Sequence, residues 1–225
     1  MYDGENKKKS GFFAEFGSYI HLIMQLYLLG ELKRHDLSTY YVAHFAENVR
    51  SKAPNHKIHL NYFNQGFYYL DNIDFPKREI IGVEDEVEFT FANKIWRGFI
   101  DVVSSDNGQL IITDHKSRTL KPRSKRSKPT KSDMELDDYL RQLYVYSVAV
   151  KDKYGRFPDI LEFNCFRSQT MIREPFKADR LNEIESWTKK EIDQIILNDR
   201  WEPQPDYWKC NYLCDVCDDC EFKSS

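Results

Sequence analysis

GFIDVVSSDNGQLIITDHKSR, Gly98 to Arg118, is the stretch from which the fold can be read. Asn107-Gly108 sits between two apolar-rich runs, and a type I′ turn takes Asn-Gly because both central residues need φ > 0. Counting outward from that turn pairs Asp106 with Gln109 and Val103 with Ile112, and it sets Asp101 opposite Asp114. Directly opposed side chains share a face, with Cβ atoms about 5 Å apart. Lys116 lies two residues past Asp114, on the same face and diagonal to Asp101. Opposed like charges are destabilising. A pair of aspartates so placed is therefore explained by a cation between them, or by a solvated cluster that Lys116 neutralises.

Working outward from the hairpin, the periodicity predicts helices over 12–33, 38–52 and 59–71. From Arg78 the pattern turns to alternation, with Val83, Asp85, Val87 and Phe89 on a strand. A turn at Ala92-Asn93-Lys94 leads to the strand WRGFIDVV, and the Asn-Gly turn leads to QLIITDHK. A helix is expected from Asp137 to Lys151, with Asp138 in its first turn where negative charge suits the helix dipole. FPDILEFNCF contains a further strand, a long helix spans about 178–197, and the tail from Trp201 reads as irregular. Helices, three antiparallel strands, helix, strand and helix make an α/β (α+β) domain with a mixed sheet.

The chain has 225 residues, 41% of them hydrophobic, enough for one domain with a sizeable core. No run of 18 apolar residues marks a membrane span, and the start, MYDGENKKKS, lacks the cleavage site of a secretory signal. The net charge of −3 conceals a local excess: Arg118, Lys121, Arg123, Lys125, Arg126, Lys128 and Lys131 follow the hairpin with no acid among them. Such a run is a solvated loop, a phosphate-contacting loop, or both.

Four of the five cysteines crowd the tail at Cys210, Cys214, Cys217 and Cys220, with Cys165 apart. That distribution argues against a secreted disulfide framework and for a reducing, cytoplasmic setting. The spacing suits four thiolates around one metal centre, either structural Zn²⁺ or a [4Fe–4S] cluster, with Cys210 or Cys165 as the fourth ligand.

Two carboxylates on neighbouring strands bind hard divalent cations such as Mg²⁺, and the His115 carbonyl between Asp114 and Lys116 offers another oxygen. A lysine beside them can position water or stabilise charge on a phosphate. Asp101, twelve intervening residues and Asp114-His115-Lys116 resemble the PD-(D/E)XK nuclease signature, with Ile100 in place of the proline. Gly17 and His21 resemble the G-x-x-x-H of RecB-like nuclease domains, Gln142 and Tyr146 their Q-x-x-x-Y helix, and the tail cysteines the clasp of AddB-like members.

The resemblance covers about residues 11–222. It implies a restriction-endonuclease-like core in a single domain over 1–225, with a helical part at 11–75, the nuclease core at 78–200 and the cysteine tail at 201–225. It further implies a Mg²⁺- or Mn²⁺-dependent DNA exonuclease of phage, recombination or repair type. Asp101, Asp114, Lys116, Gln142 and Tyr146 would be catalytic. His21, Asp101, Asp114, the His115 carbonyl and one of Glu84, Glu86 and Glu88 (Glu84 by its place in the strand) would hold metal. The basic run would guide DNA. A catalytically idle DNA-binding or assembly module, and a subunit that works only with a separate helicase or recombination protein, are the competing readings. No GxxxxGK[ST] motor motif is present.

Overall fold

The computed structural model describes residues 11–198, 202–214 and 220–222. Three helices come first, α1 Phe12–Leu28, α2 Leu37–Asn48 and α3 His56–Asp71. The meander β1 Glu79–Phe91, β2 Lys94–Asp106 and β3 Gln109–Lys116 follows. Then come α4 Lys131–Tyr154, β4 Ile160–Cys165, β5 Thr170–Pro175, α5 Ala178–Leu197 and α6 Tyr207–Tyr212. The five strands form one mixed sheet in the order β1-β2-β3-β4-β5, parallel only between β3 and β4. That parallel pair needs a crossover, and α4 supplies it.

Asn107 (φ 49°) and Gly108 (φ 81°) both adopt the left-handed region, as a type I′ turn demands. The expected register holds from Asp106↔Gln109 through Val103↔Ile112 to Val102↔Thr113. The β1–β2 turn uses the same geometry at Ala92 (φ 51°) and Asn93 (φ 60°).

Two apolar cores flank the sheet. One buries Ile112, Leu143, Val150, Leu161 and Phe163 between the strands and α4, with Leu181 and Ile184 added from α5. The other is largely aromatic and gathers Phe16, Tyr19, Tyr41 and Phe45 of α1 and α2 around Phe166. Among the described residues no helix is long and apolar enough to cross a membrane.

Several boundaries differ from expectation. Helix α1 stops at Leu28 rather than 33, because Gly30 turns left-handed at φ 77°. Helix α4 starts at Lys131, six residues before Asp137. Its signal is a capping box, in which the Thr130 side chain accepts from the Asp133 N–H and the Asp133 carboxylate accepts from the Thr130 N–H. Asp133 therefore holds the first-turn place expected of Asp138, which lies inside the helix. Strand β5 was not expected. It returns from β4 through a 3₁₀ turn and a left-handed Gln169 (φ 51°), a residue that carries no turn signal. The tail includes the short helix α6, and a Cβ on Gly11 would lie 3.3 Å from the Tyr212 carbonyl oxygen, so α6 ends beside the start of α1.

The Asp133 carboxylate also fastens the basic loop. It accepts from Ser124 N (2.7 Å), Ser124 Oγ (2.7 Å), Thr130 N (2.6 Å) and Thr130 Oγ1 (2.7 Å). These bonds, Ser124's first, hold its carboxyl well below the usual carboxylate range. A lowered folded-state pKa stabilises the fold above the unfolded value, about 4, and the gain is lost as pH falls below it. Asp133→Asn is expected to lower Tm most at pH 7. The gap to the parent should close as pH is taken below about 4, which thermal melts across that range would read.

Candidate active site

The site forms where α1 crosses the middle of β1 and β2 and the C-terminal end of β3. Asp101 faces Asp114 one step beyond the Val102↔Thr113 pair. Glu84 falls opposite Asp101, between the pairs Val83↔Val102 and Asp85↔Ile100. Three carboxylates thus stand in a row on three adjacent strands. Glu84 is held at φ 49°, an uncommon conformation for a residue with a Cβ. Its neighbour Asp85 is taken by α4, through Lys153 Nζ (2.7 Å) and the Tyr154 hydroxyl (2.8 Å). Glu88 pairs with Arg97, and Glu86 is exposed. Of the three glutamates, Glu84 is the one beside His21, with Oε1 3.7 Å from Nδ1.

His21 comes from the middle of α1. Its Nε2 lies 2.8 Å from the His115 carbonyl oxygen and donates to it, because that oxygen can only accept. The lone pair of the neutral ring is therefore on Nδ1, which lies 3.5 Å from Asp101 Oδ2 and faces Glu84. The His115 carbonyl is thereby engaged with His21. The His115 ring is buried, with Nδ1 3.0 Å from Asn164 Nδ2. Asp101 Oδ2 accepts from the His115 N–H at 2.6 Å.

Lys116 Nζ donates to Asp114 Oδ1 (3.0 Å) and to Gln142 Oε1 (2.9 Å). Gln142 thus sits where it orients the lysine. Tyr146, one turn on, packs instead against β2, where a Cβ on Gly98 would come within 2.5 Å of its hydroxyl. Glycine at 98 is what lets this helix lie so close to the strand.

Burial raises the Asp101 carboxyl to about 7; the Asp114 and Glu84 charges add to the rise, and His21 and the His115 N–H oppose it. Asp114 is also raised, by burial against the pull of Lys116. Burial disfavours protonated His21, but Glu84, Asp101 and Asp114 outweigh it and raise its pKa. The His115 ring is driven well below the ordinary histidine value, by burial first and then by the His21, Arg78 and Lys116 charges. Carboxylates crowded this way ionise readily only with a cation among them.

The residues fit a divalent cation. One donor atom each from His21, Glu84 and Asp101 lies within 4.8 Å of the other two. Asp114 Oδ2 is buried without a hydrogen bond, although Lys116 Nζ is 2.9 Å away in poor hydrogen-bond geometry. A neutral imidazole with three carboxylates is a donor set for Mg²⁺ or Mn²⁺.

The remaining expected residues lie apart. Arg118 is paired with Glu135 (2.7 Å), and Arg123 with Asp137 (2.7 Å) and Glu174 (3.0 Å). Lys121, Lys125, Arg126, Lys128 and Lys131 are exposed and make no ion pair among the described residues. Cys165 is buried in the core on β4, whereas Cys210, Cys214 and Cys220 are half-exposed free thiols. Cys217 lies outside the described residues. Two features escaped the sequence reading. One is a cavity of about 430 Å³ along α1 that reaches His21 and Glu84. The other is Arg167, whose guanidinium bonds Gln65, Tyr62 and the Ser117 carbonyl.

No protein of curated function shows significant sequence similarity to this chain. Among solved structures, a protein from Eubacterium rectale bearing the name "Putative exonuclease" matches 93% of this chain and 76% of its own, at 15% identity and a TM-score of 0.50. That likeness shows a shared fold. SSO0001 aligns over 92% of this chain and 97% of its own at 18% identity, but its TM-score of 0.34 is too low to add to the argument. The PD-(D/E)XK nuclease superfamily matches the sequence over residues 4–225. The chain belongs to the PD-(D/E)XK nuclease superfamily.

Proposed function

We propose that this nuclease is a Mg²⁺- or Mn²⁺-dependent exodeoxyribonuclease, one domain that hydrolyses DNA phosphodiester bonds in DNA processing. The observation that carries the reading is the convergence of His21, Glu84 and Asp101 beside an Asp114–Lys116 pair. His21, Glu84, Asp101 and Asp114 would hold the cation. A bound divalent cation supplies a water of lowered pKa and offsets charge on the phosphate. Asp101, fixed by the His115 N–H, and His21, fixed by the His115 carbonyl, present their donor atoms with little freedom to turn away. Lys116, held between Asp114 and Gln142, keeps an ammonium where it can orient the attacking water and stabilise the phosphate oxygens. Electrostatic stabilisation of this kind gains from a partly buried site, and Asp114 and Lys116 are only 8% and 19% exposed. The five exposed cations of the 118–131 loop would steer DNA by backbone charge without reading its sequence.

We also infer that the tail cysteines hold a [4Fe–4S] cluster or Zn²⁺ in a structural role. Burial of Cys165 in the core favours Cys210 as the fourth ligand. Metal analysis of the purified protein, with its visible spectrum, separates the two, because a zinc thiolate site is colourless.

The test of the activity is cleavage of end-labelled linear DNA beside a closed circle. Shortening of the linear DNA from its ends with Mg²⁺ or Mn²⁺, loss of activity in EDTA and an intact circle are expected. Cleavage of the circle would make the enzyme an endonuclease. Undiminished cleavage in EDTA would remove the metal from the reading.

A further inference from the structure

Position 17 is a glycine inside α1, where glycine is among the poorest helix formers. Internal packing does not require it, since a Cβ built there meets nothing within 4 Å. Gly66 on α3 is the contrast, for a Cβ there would lie 2.6 Å from the Tyr41 hydroxyl. The bare helix surface at Gly17 instead forms the wall of the 430 Å³ cavity, together with Phe13, Ser18, His21, Glu84 and Ser117. The cavity is continuous with the candidate metal donors, and its volume is that of a small-ligand site rather than of a duplex.

Behind the cavity lies a cation in an unusual setting. Arg167 makes no ion pair among the described residues. Its partners are all neutral: Gln65 Oε1 (2.6 Å), the Tyr62 hydroxyl (2.7 Å) and the Ser117 carbonyl (3.3 Å). The guanidinium also lies 3.7 Å from the Tyr62 ring centroid, and Tyr62 packs against Phe13 with centroids 5.1 Å apart. Arg118 and Arg123, by contrast, have carboxylate partners. A half-buried, uncompensated arginine behind a rim that carries an aromatic ring is the chemistry that attracts a phosphate and stacks a base.

We propose that the α1 groove seats a single strand of DNA next to the bond that is cut. In this seat, which rests on the nuclease reading, Gly17 lets the sugar–phosphate backbone come close to the helix. Phe13 offers a ring for a base, and Arg167 supplies charge through the Ser117 rim.

The experiment measures binding of a fluorescein-labelled single-stranded oligonucleotide to the full-length Lys116→Ala protein in EDTA-free buffer without added Mg²⁺ or Mn²⁺, where slowed chemistry and lack of metal leave the DNA intact during the measurement. Added to that background, Gly17→Leu fills the groove and should weaken binding by roughly tenfold or more. Gly17→Ala should bind less tightly than its background while raising Tm by about 2–4 °C, as expected of a better helix former. Arg167→Gln should reduce the slope of log Kobs against log salt by less than the roughly 0.7 of one direct single-strand phosphate contact, because its charge acts through the Ser117 rim. Should both Gly17 variants bind like their background while the parent enzyme still cleaves DNA, the strand does not lie on α1 and only the seat is wrong. If the parent enzyme neither binds nor cleaves DNA, the nuclease reading fails and takes the seat with it.

Discussion

Lys116→Ala is expected to lower the rate of DNA cleavage by about 10²–10³-fold at saturating Mg²⁺ with little change in KM. Lys116 is the cation that touches Asp114, and Gln142 fixes its other side. Truncation removes a preorganised positive charge from a partly buried site, and water cannot replace it with the same orientation. Gln142→Ala removes only the orienting partner, so its loss should be smaller, about tenfold, and confined to kcat. Single-turnover cleavage of a labelled strand measures both. Equal losses in the two variants would mean that the lysine acts only through its position in the hydrogen-bond chain. An unaffected Lys116→Ala would remove it from the chemistry.

The second large effect concerns stability. Arg78 and Glu162 form an ion pair whose side chains are 1% and 0% exposed, with Nη2 2.6 Å from Oε1 and Nη1 3.0 Å from Oε2. Thr113 Oγ1 donates to the same carboxylate at 2.8 Å, and Arg173 approaches it at 3.3 Å. The pair lies under β3 and β4, one residue along from Asp114. Arg78→Met should cost about 3 kcal/mol, because it leaves a buried carboxylate with only Thr113 and the half-exposed Arg173 rather than because the pair itself is strong. In a chain of this size that loss lowers Tm by roughly 10 °C. The double change Arg78→Met with Glu162→Leu should recover much of it, since two apolar groups leave no charge behind. Thermal melts of the three variants decide the point. A double variant no more stable than Arg78→Met would mean that Thr113 and Arg173 depend on the carboxylate.

How much was legible in advance depended on how local each cause was. Asn107-Gly108 is a two-residue signal with a steric cause, and from it alone the facing of Asp101 and Asp114 and the place of Lys116 could be counted. Strand alternation alone left Glu84, Glu86 and Glu88 open, and only the family resemblance favoured Glu84. The choice depends on a left-handed residue in β1 and on Lys153 and Tyr154 drawing Asp85 to α4, contacts 68 and 69 residues away in the chain. The basic run looked uniform because its partners are elsewhere. Glu135, Asp137 and Glu174 neutralise Arg118 and Arg123 only once α4 and β5 are in place. The start of α4 at Lys131 has a local signal in Thr130-x-x-Asp133, whereas an acid such as Asp138 does not by itself fix which turn is the first. Phe13 and Gly17 line one cavity with Glu84 and Ser117, and Arg167 bonds the Ser117 carbonyl, only through tertiary structure.

The His21–His115 hydrogen bond spans 94 positions of chain, whereas Glu84, Asp101 and Asp114 meet across two tight turns. Hairpins close in microseconds, while distant segments pay a larger loop-closure entropy before any contact rewards them. The acids are therefore early partners and the imidazole is a late one. Although α1 precedes the strands in the chain, the Nε2 of His21 reaches its carbonyl partner only once β3 has been made and folded. The candidate site therefore has its full set of donors only when α1 and the sheet have come together.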